Sequence, residues 1–230
     1  PIGSRGLGDV YKRQSLVYMQ NSGFGNAINP LLSLADAKVY SIPMVVMVGW
    51  RGEPSVEDEP QHVKQGAVME RLLEACDLPS IIIDSETSNI KEVLKSALEQ
   101  AVSNSRPVVL LVRKGAFESY KPKNILPDIS EETREKAIEM VVDASGANDI
   151  FVSTTGMASR ELFEIRVQKK QSHEKDFLTV GSMGHANMIA LGVAQNTDRH
   201  VFCIDGDGAS LMHLGNLTST GQSGAKNLIH

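Results

Sequence analysis

Little in this 230-residue chain can cross-link or anchor it. Its two cysteines, Cys76 and Cys203, cannot build a disulfide framework, and their spacing fits no metal-binding cysteine motif. Long apolar runs are missing too. Stretches such as Met44–Val48 fall far short of the ~20 residues of a membrane span, so no membrane partner is expected. Positive charge is not in excess: 23 Lys and Arg stand against 28 Asp and Glu, a net charge of −5. That removes the basic field needed for non-specific nucleic-acid binding. There is no initiator Met, and Pro1–Gln14 carries neither a helical nor a strand period. It reads as a non-native leader outside the fold, with a natural flexible terminus as the alternative. What remains is 41% hydrophobic and 22% charged, ordinary for a soluble globular protein. Unlinked thiols fit a reducing, cytoplasmic setting.

From Ser15 the chain alternates short β-rich runs with longer segments of helical period. Strands are expected at 15–19, 44–48, 81–83 and 108–112. Helices are expected at 26–39, 61–76 and 90–102, with a Gly-rich loop at 20–25. Ile90, Val93, Leu94, Ala97, Leu98 and Ala101 mark one face of a 3.6-residue period. Val108–Val112 is unbroken and apolar, as in a parallel strand buried on both faces. Around 114–129 the pattern lapses into lysines and prolines, which reads as an interdomain linker or as a surface loop. Alternation then restarts. A helix at 131–144 is expected, capped by Ser130, then strands at 150–153, 177–180 and 201–204 and helices at 158–167, 185–194 and 209–220. The fold class is α/β: two domains, each a mostly parallel sheet flanked by helices. The last residues, Lys226–His230, read as a strand just begun. Both domains are therefore expected to be truncated, as in an internal fragment.

The sharpest chemical pattern is Asp205-Gly206-Asp207-Gly208 between an apolar strand and a helical segment. Glycines at a strand's carboxyl edge let backbone approach a phosphate, and a following helix offers amide donors. A carboxylate in that turn can hold a hard cation bridging diphosphate oxygens. The plain alternative is a tight turn with two solvated aspartates. Ser153-Thr-Thr-Gly156 and Val180-Gly-Ser-Met-Gly184 follow two further strands in the same half, and the three turns together read as one anion cradle. In the first half, Gln20-Asn-Ser-Gly-Phe-Gly-Asn26 lacks the dinucleotide spacing, which excludes nicotinamide binding. The loop Gly49–His62 gathers the only Trp, one Arg, four acids and a His. It is either a functional loop or a solvated acidic turn. Arg51 offers a planar fork for a dianion, and His62 a proton shuttle.

The stretches VYMQNSGFGNAINPLLSLAD, GWRGEP, DEPQHVKQG, STTGMASRELFE, FLTVGSMGHA and DGDGASLMHLGNL together resemble the phosphonopyruvate decarboxylase family. These are thiamine-diphosphate-dependent enzymes related to sulfopyruvate decarboxylase. The resemblance implies a pyrimidine-binding domain at 15–117, a linker at 118–130 and a diphosphate-binding domain at 131–230, after the leader at 1–14. It implies thiamine diphosphate and Mg²⁺ as cofactors, with Asp207 as metal ligand. Gly156, Ser182, Gly184, Gly206, Gly208 and Ala209 would line the phosphates, and Met183 would wedge under the bent cofactor. Ser22, Gly23, Gly25 and Asn26 would form the pyrimidine-side loop. The reaction implied is decarboxylation of 3-phosphonopyruvate to phosphonoacetaldehyde and CO₂, a step of phosphonate biosynthesis, in a homo-oligomer with its site between subunits. Arg51, His62 and His185 are the candidates for substrate recognition or proton transfer. Sulfopyruvate decarboxylase and a non-catalytic module of the same fold are the alternatives.

Two features of the family are missing here. The Glu that activates the cofactor belongs upstream of SLVYMQNSG, and Pro1–Gln14 does not supply it. Asn227 comes too early after Asp207 to serve as the partner metal ligand. On this reading the parent protein is an enzyme and the chain alone is inactive.

Overall fold

A computed structural model describes residues 15–121 and 132–230. The expected leader at 1–14, the expected Ser130 cap and most of the expected linker lie outside the described residues. The chain divides into two compact units, with the boundary after Lys123.

In the first unit, β1 (Ser15–Gln20), α1 (Asn21–Ser33), β2 (Met44–Gly49), α2 (Pro60–Ala75), β3 (Ser80–Ile83), α3 (Ile90–Asn104) and β4 (Pro107–Val112) alternate. The sheet runs β1-β2-β4-β3, and every pair is parallel. The central strand β4, PVVLLV, is buried along its whole length. Its side chains divide between two layers. Val109 and Leu111 pack with Val46, Val48, Phe24 and Leu31 of α1, and Met69 and Leu73 of α2. Val108 and Leu110 meet Val45, Ile83, and Ala97 and Ala101 of α3. Each fully buried Val, Leu or Phe contributes ~1.5–3 kcal/mol, which makes this two-sided strand the thermodynamic centre of the unit.

In the second unit, α4 (Arg134–Ala144), β5 (Ile150–Ser153), α5 (Met157–Gln168), β6 (Asp176–Leu178), α6 (Ala186–Ala194), β7 (Val201–Ile204), α7 (Asp207–Met212), α8 (Asn216–Gln222) and β8 (Leu228–Ile229) follow. The sheet order is β6-β5-β7-β8, again wholly parallel. Phe151 and Leu162 anchor the layer under α4 and α5. Val152, Val201 and Cys203 meet the small residues Ala186, Ala190 and Ala194 of α6 on the other face.

Four local expectations need correction. α1 starts at Asn21 directly after β1, so Ser22, Gly23, Gly25 and Asn26 are helical rather than in a loop. The same helix ends at Ser33 instead of Val39, and the chain leaves it through turns in which Lys38 N donates to Asp36 Oδ1. Thr133 caps α4, its hydroxyl accepting from Lys136 N at 3.1 Å. The single helix expected at 209–220 is two, because His213 leaves helical geometry with φ −132° and ψ 48°.

Candidate functional site

Parallel strands deliver their outgoing turns to one edge. The turns after β6, β5 and β7, which are neighbours in the sheet, therefore sit side by side. From β5 the chain crosses to β6 on one flank; from β7 it crosses to β8 on the other. The carboxyl ends of β5 and β7 thus flank a topological switch point, where open α/β sheets bind ligands.

The three turns touch. Gly184, buried in the β6–α6 turn with φ +89°, leaves no room for a side chain. An added Cβ would lie 2.4 Å from His213 Nδ1, 3.0 Å from Met212 Cβ and 3.1 Å from the Ala209 carbonyl. Met183 Cε would lie 3.2 Å from a Cβ on Gly208. The rings of His185 and His213 sit 4.5 Å apart, and His185 Nδ1 lies 3.1 Å from the Ser182 carbonyl. Thr155 Oγ1 donates to the Val180 carbonyl, tying the β5 turn to the β6 turn. Gly156 begins α5 with φ +94° and ψ −139°, backbone angles open to glycine. No neighbour would crowd a Cβ there, so its demand is conformational.

The two aspartates of the β7 turn have different tasks. Asp205 is buried, with 6% of its side chain exposed. Its carboxylate accepts from Gly206 N at 3.0 Å and Ser210 Oγ at 3.3 Å, and His230 Nε2 lies 3.2 Å away. It holds the turn closed. Asp207 opens α7 and is exposed, which makes it the carboxylate available to a cation. α7 has only six residues, so individual amides, more than a helix dipole, are what this turn offers. Cys203, Asp205 and His230 bring ligand-type atoms within 4.8 Å of one another. Burial, helped by Asp205, pushes the Cys203 thiol up to about 12, so at neutral pH it is a protonated core group.

A cavity of about 460 Å³ opens beside this edge, lined by Asp205, Gly206, Asp207, Ser210, Ala158 and Arg134 among others. Another, about 410 Å³, lies at the opposite edge, and the arginine that lines it is already engaged. There Arg166 grips Asp176 through two nitrogens at 3.0 and 3.1 Å and bonds Gln171 at 2.7 Å.

In the first unit, the loop after β2 is built rather than loose. Gly52 and Gly66 cross so closely that a Cβ on Gly66 would fall 1.8 Å from the Gly52 carbonyl oxygen. One on Gly52 would fall 2.0 Å from the His62 carbonyl. Trp50 Nε1 donates to the Gly66 carbonyl at 3.0 Å. Asn21 exchanges two hydrogen bonds with the Arg51 backbone, at 2.8 and 3.0 Å. At the centre is Asp58. Oδ2 accepts from Arg51 Nε and Gly52 N, both at 2.8 Å. Oδ1 accepts from Arg51 Nη2 at 2.5 Å and Glu59 N at 2.7 Å, and His62 Nδ1 lies 3.1 Å from it. The Arg51 hydrogen bonds, against the cost of burial, hold the Asp58 carboxyl far below the usual carboxylate range. The same contact raises Arg51.

The structure therefore brings Gly156, Ser182, Met183, Gly184, Gly206, Asp207, Gly208 and Ala209 to one edge, with His185 beside them. In the other unit it brings Arg51 and His62 together on Asp58. The Arg51 fork expected to meet a substrate anion is occupied by Asp58, which leaves its Nη1 side. Ser22 and Gly23 are half-buried on α1, and Gly25 and Asn26 are exposed. Sequence reasoning missed three residues. Asp58 was one acid among four, Asn21 sat in a presumed loop, and Thr154 was passed over for the glycine two residues on. The Thr154 hydroxyl is buried at the end of β5 with no hydrogen-bond partner among the described residues, and its Cγ2 would lie 3.9 Å from a Cβ on Gly206.

A parallel sheet with three mutually packed turns and an exposed carboxylate at its switch point could hold a diphosphate and a cation. In agreement, residues 132–230 match the thiamine pyrophosphate enzyme C-terminal TPP-binding domain, so the second unit is a domain of that class. Across most of its length the chain is similar to decarboxylases. It is 33% identical over 226 residues to phosphonopyruvate decarboxylase of Streptomyces viridochromogenes, covering 92% of this chain and 55% of the relative. It is 30% identical over 236 residues to sulfopyruvate decarboxylase of Methanosarcina acetivorans, covering 93% and 58%. Over 92 residues it is 40% identical to sulfopyruvate decarboxylase subunit beta of Methanocaldococcus jannaschii, covering 40% and 46%. The chain spans a little over half the length of the two longer matches. No helix among the described residues is long and apolar enough to cross a membrane.

Proposed function

We propose that this protein uses thiamine diphosphate and Mg²⁺ to decarboxylate 3-phosphonopyruvate to phosphonoacetaldehyde and CO₂, in phosphonate biosynthesis. One observation carries the reading: the turns after β6, β5 and β7 pack together at one sheet edge, with Asp207 exposed among them. The residues present suit a diphosphate. Gly184 keeps backbone where a side chain would clash, and the orphaned Thr154 hydroxyl offers a hydrogen bond at the switch point.

Thiamine diphosphate, when bound, supplies the electron sink for the pair left as CO₂ departs. The chain supplies the rest. Asp207 would hold the cation, which would neutralise diphosphate charge. Amides of Gly156, Ser182, Gly184, Gly206, Gly208 and Ala209 would bind the diphosphate, and Met183 would support the cofactor. Ser22, Gly23, Gly25 and Asn26 would serve the pyrimidine side. The first unit of one subunit serves the second unit of another in a homo-oligomer. Arg51 Nη1, His62 and His185 meet the phosphonate or move protons.

The similarity to sulfopyruvate decarboxylase favours a second reading with a sulfonate substrate, since both groups are tetrahedral oxyanions. CO₂ release by the intact protein with thiamine diphosphate and Mg²⁺ separates the two. Faster turnover of 3-phosphonopyruvate than of 3-sulfopyruvate is expected. The reverse order selects the second reading, and no CO₂ from either substrate overturns both.

A further inference from the structure

The Gly49–His62 loop holds a carboxylate that the proposed reaction does not itself use. Asp58 accepts four hydrogen bonds from Arg51, Gly52 and Glu59, His62 Nδ1 lies 3.1 Å from its Oδ1, and its side chain is 10% exposed. An ionised carboxylate can only accept, so the ring nitrogen 3.1 Å from it, His62 Nδ1, must carry a proton. In the neutral ring that leaves Nε2 unprotonated. Arg51 fixes the carboxylate through both Nε on Oδ2 and Nη2 on Oδ1, the oxygen that His62 also meets. The Gly52 and Glu59 amides fix its plane, and the Gly52–Gly66 crossing fixes the loop against α2. The loop is thus a frame with one adjustable member, the His62 ring, and the frame dictates which nitrogen that ring presents.

We propose that Asp58 is a positioning residue that locks His62 in the Nδ1–H form and so makes Nε2 the proton-transferring atom. This rests on the decarboxylase reading. Loss of CO₂ leaves a carbon that must gain one proton. The His62 imidazolium breaks its Nε2–H bond to form the new C–H bond and remains as the neutral Nδ1–H ring, the tautomer Asp58 stabilises. Water then returns a proton to Nε2. Arg51 holds Asp58 through Nε and Nη2, which leaves Nη1 alone for a substrate anion.

Two measurements test this. Long-range ¹H–¹⁵N spectra of the protein with ¹⁵N-labelled histidine report the neutral tautomer of His62 without any substrate, the signal being assigned with His62→Gln. Nδ1–H is expected in the native protein, with loss of that preference in Asp58→Asn. The Nε2–H form in the native protein overturns the proposal even if the variant fails to fold. In the intact enzyme, Asp58→Asn should lower kcat toward the ~10²–10⁴-fold range of general acid–base catalysis while KM changes little. An unchanged kcat, or a change confined to KM, overturns it. If the tautomer is as expected but the native protein decarboxylates neither oxo acid, the functional reading fails, the proton-transfer role of Nε2 falls with it, and only the Asp58–His62 tautomer lock stands.

Discussion

Replacing Gly66 by Ala tests the architecture that presents Arg51, Asp58 and His62. In most helices this exchange stabilises, because Ala gains ~1 kcal/mol over Gly in helix propensity. Here the new methyl carbon would fall 1.8 Å from the Gly52 oxygen, 2.0 Å from its carbonyl carbon and 2.5 Å from the Arg51 oxygen. Ordinary carbon contacts begin near ~3.5 Å, so α2 and the loop must part by more than an ångström, and both surfaces are backbone. Separation strains the Trp50 Nε1 bond to the Gly66 carbonyl, worth ~1 kcal/mol, and the charged Gly52 N–Asp58 bond, worth ~1.5–3 kcal/mol. With overpacking strain of ~1–3 kcal/mol, the cost exceeds the helix gain by about 2.5–6 kcal/mol. Trp50, the single tryptophan, is buried in this loop and reports unfolding by fluorescence. At a urea m-value of ~1–3 kcal/mol/M, the midpoint should fall by about 1 M or more. An unchanged or raised midpoint would refute the crossing.

Three other expectations follow from single groups. In α6, Gly192→Ala meets no atom within 4 Å and should stabilise by up to ~1 kcal/mol; Gly184→Ala, with φ +89° and a 2.4 Å clash, should destabilise and weaken thiamine diphosphate binding. Equal thermal shifts for the two variants would contradict this. The Asp58 carboxyl is depressed in the fold, so its contribution is complete above its unfolded value of ~3.9 and declines as pH falls below that toward the folded value. Acid titration of Trp50 fluorescence should show that loss in the native chain and not in Asp58→Asn; parallel curves would sink the idea. Cys203, with its thiol raised to about 12, should react with a thiol reagent at pH 8 only on unfolding, whereas half-buried Cys76 reacts first. Similar rates for both would be the contrary result.

The parallel sheets were legible because burial on both faces writes itself as unbroken apolar runs, as in Val108–Val112 and Val201–Ile204. The Gly-Asp-Gly turn was legible for the same reason: it follows such a run directly. What sequence reasoning lost depended on contacts between distant segments. His213 breaks a helical pattern because it packs against Gly184 and His185, residues that periodicity cannot connect to it. Asp58 looked like its acidic neighbours until the fold brought Arg51, Gly52 and His62 onto its oxygens. The early start of α1 was hidden by Gly23 and Gly25, which read as loop formers and are helical all the same. Within the described residues no side chain crowds either position: the nearest atom to a Cβ on Gly23 is Met19 Cβ at 4.0 Å, and Gly25 has none within that distance.

Calorimetric titration with thiamine diphosphate, with and without Mg²⁺, asks whether the three turns and Asp207 form a cation-assisted diphosphate site. The native protein should bind only with the metal present. Asp207→Asn should weaken that binding by more than the ~10–100-fold typical of losing an outer partner to a metal ligand. Tight binding that ignores both Mg²⁺ and the substitution would contradict the assignment.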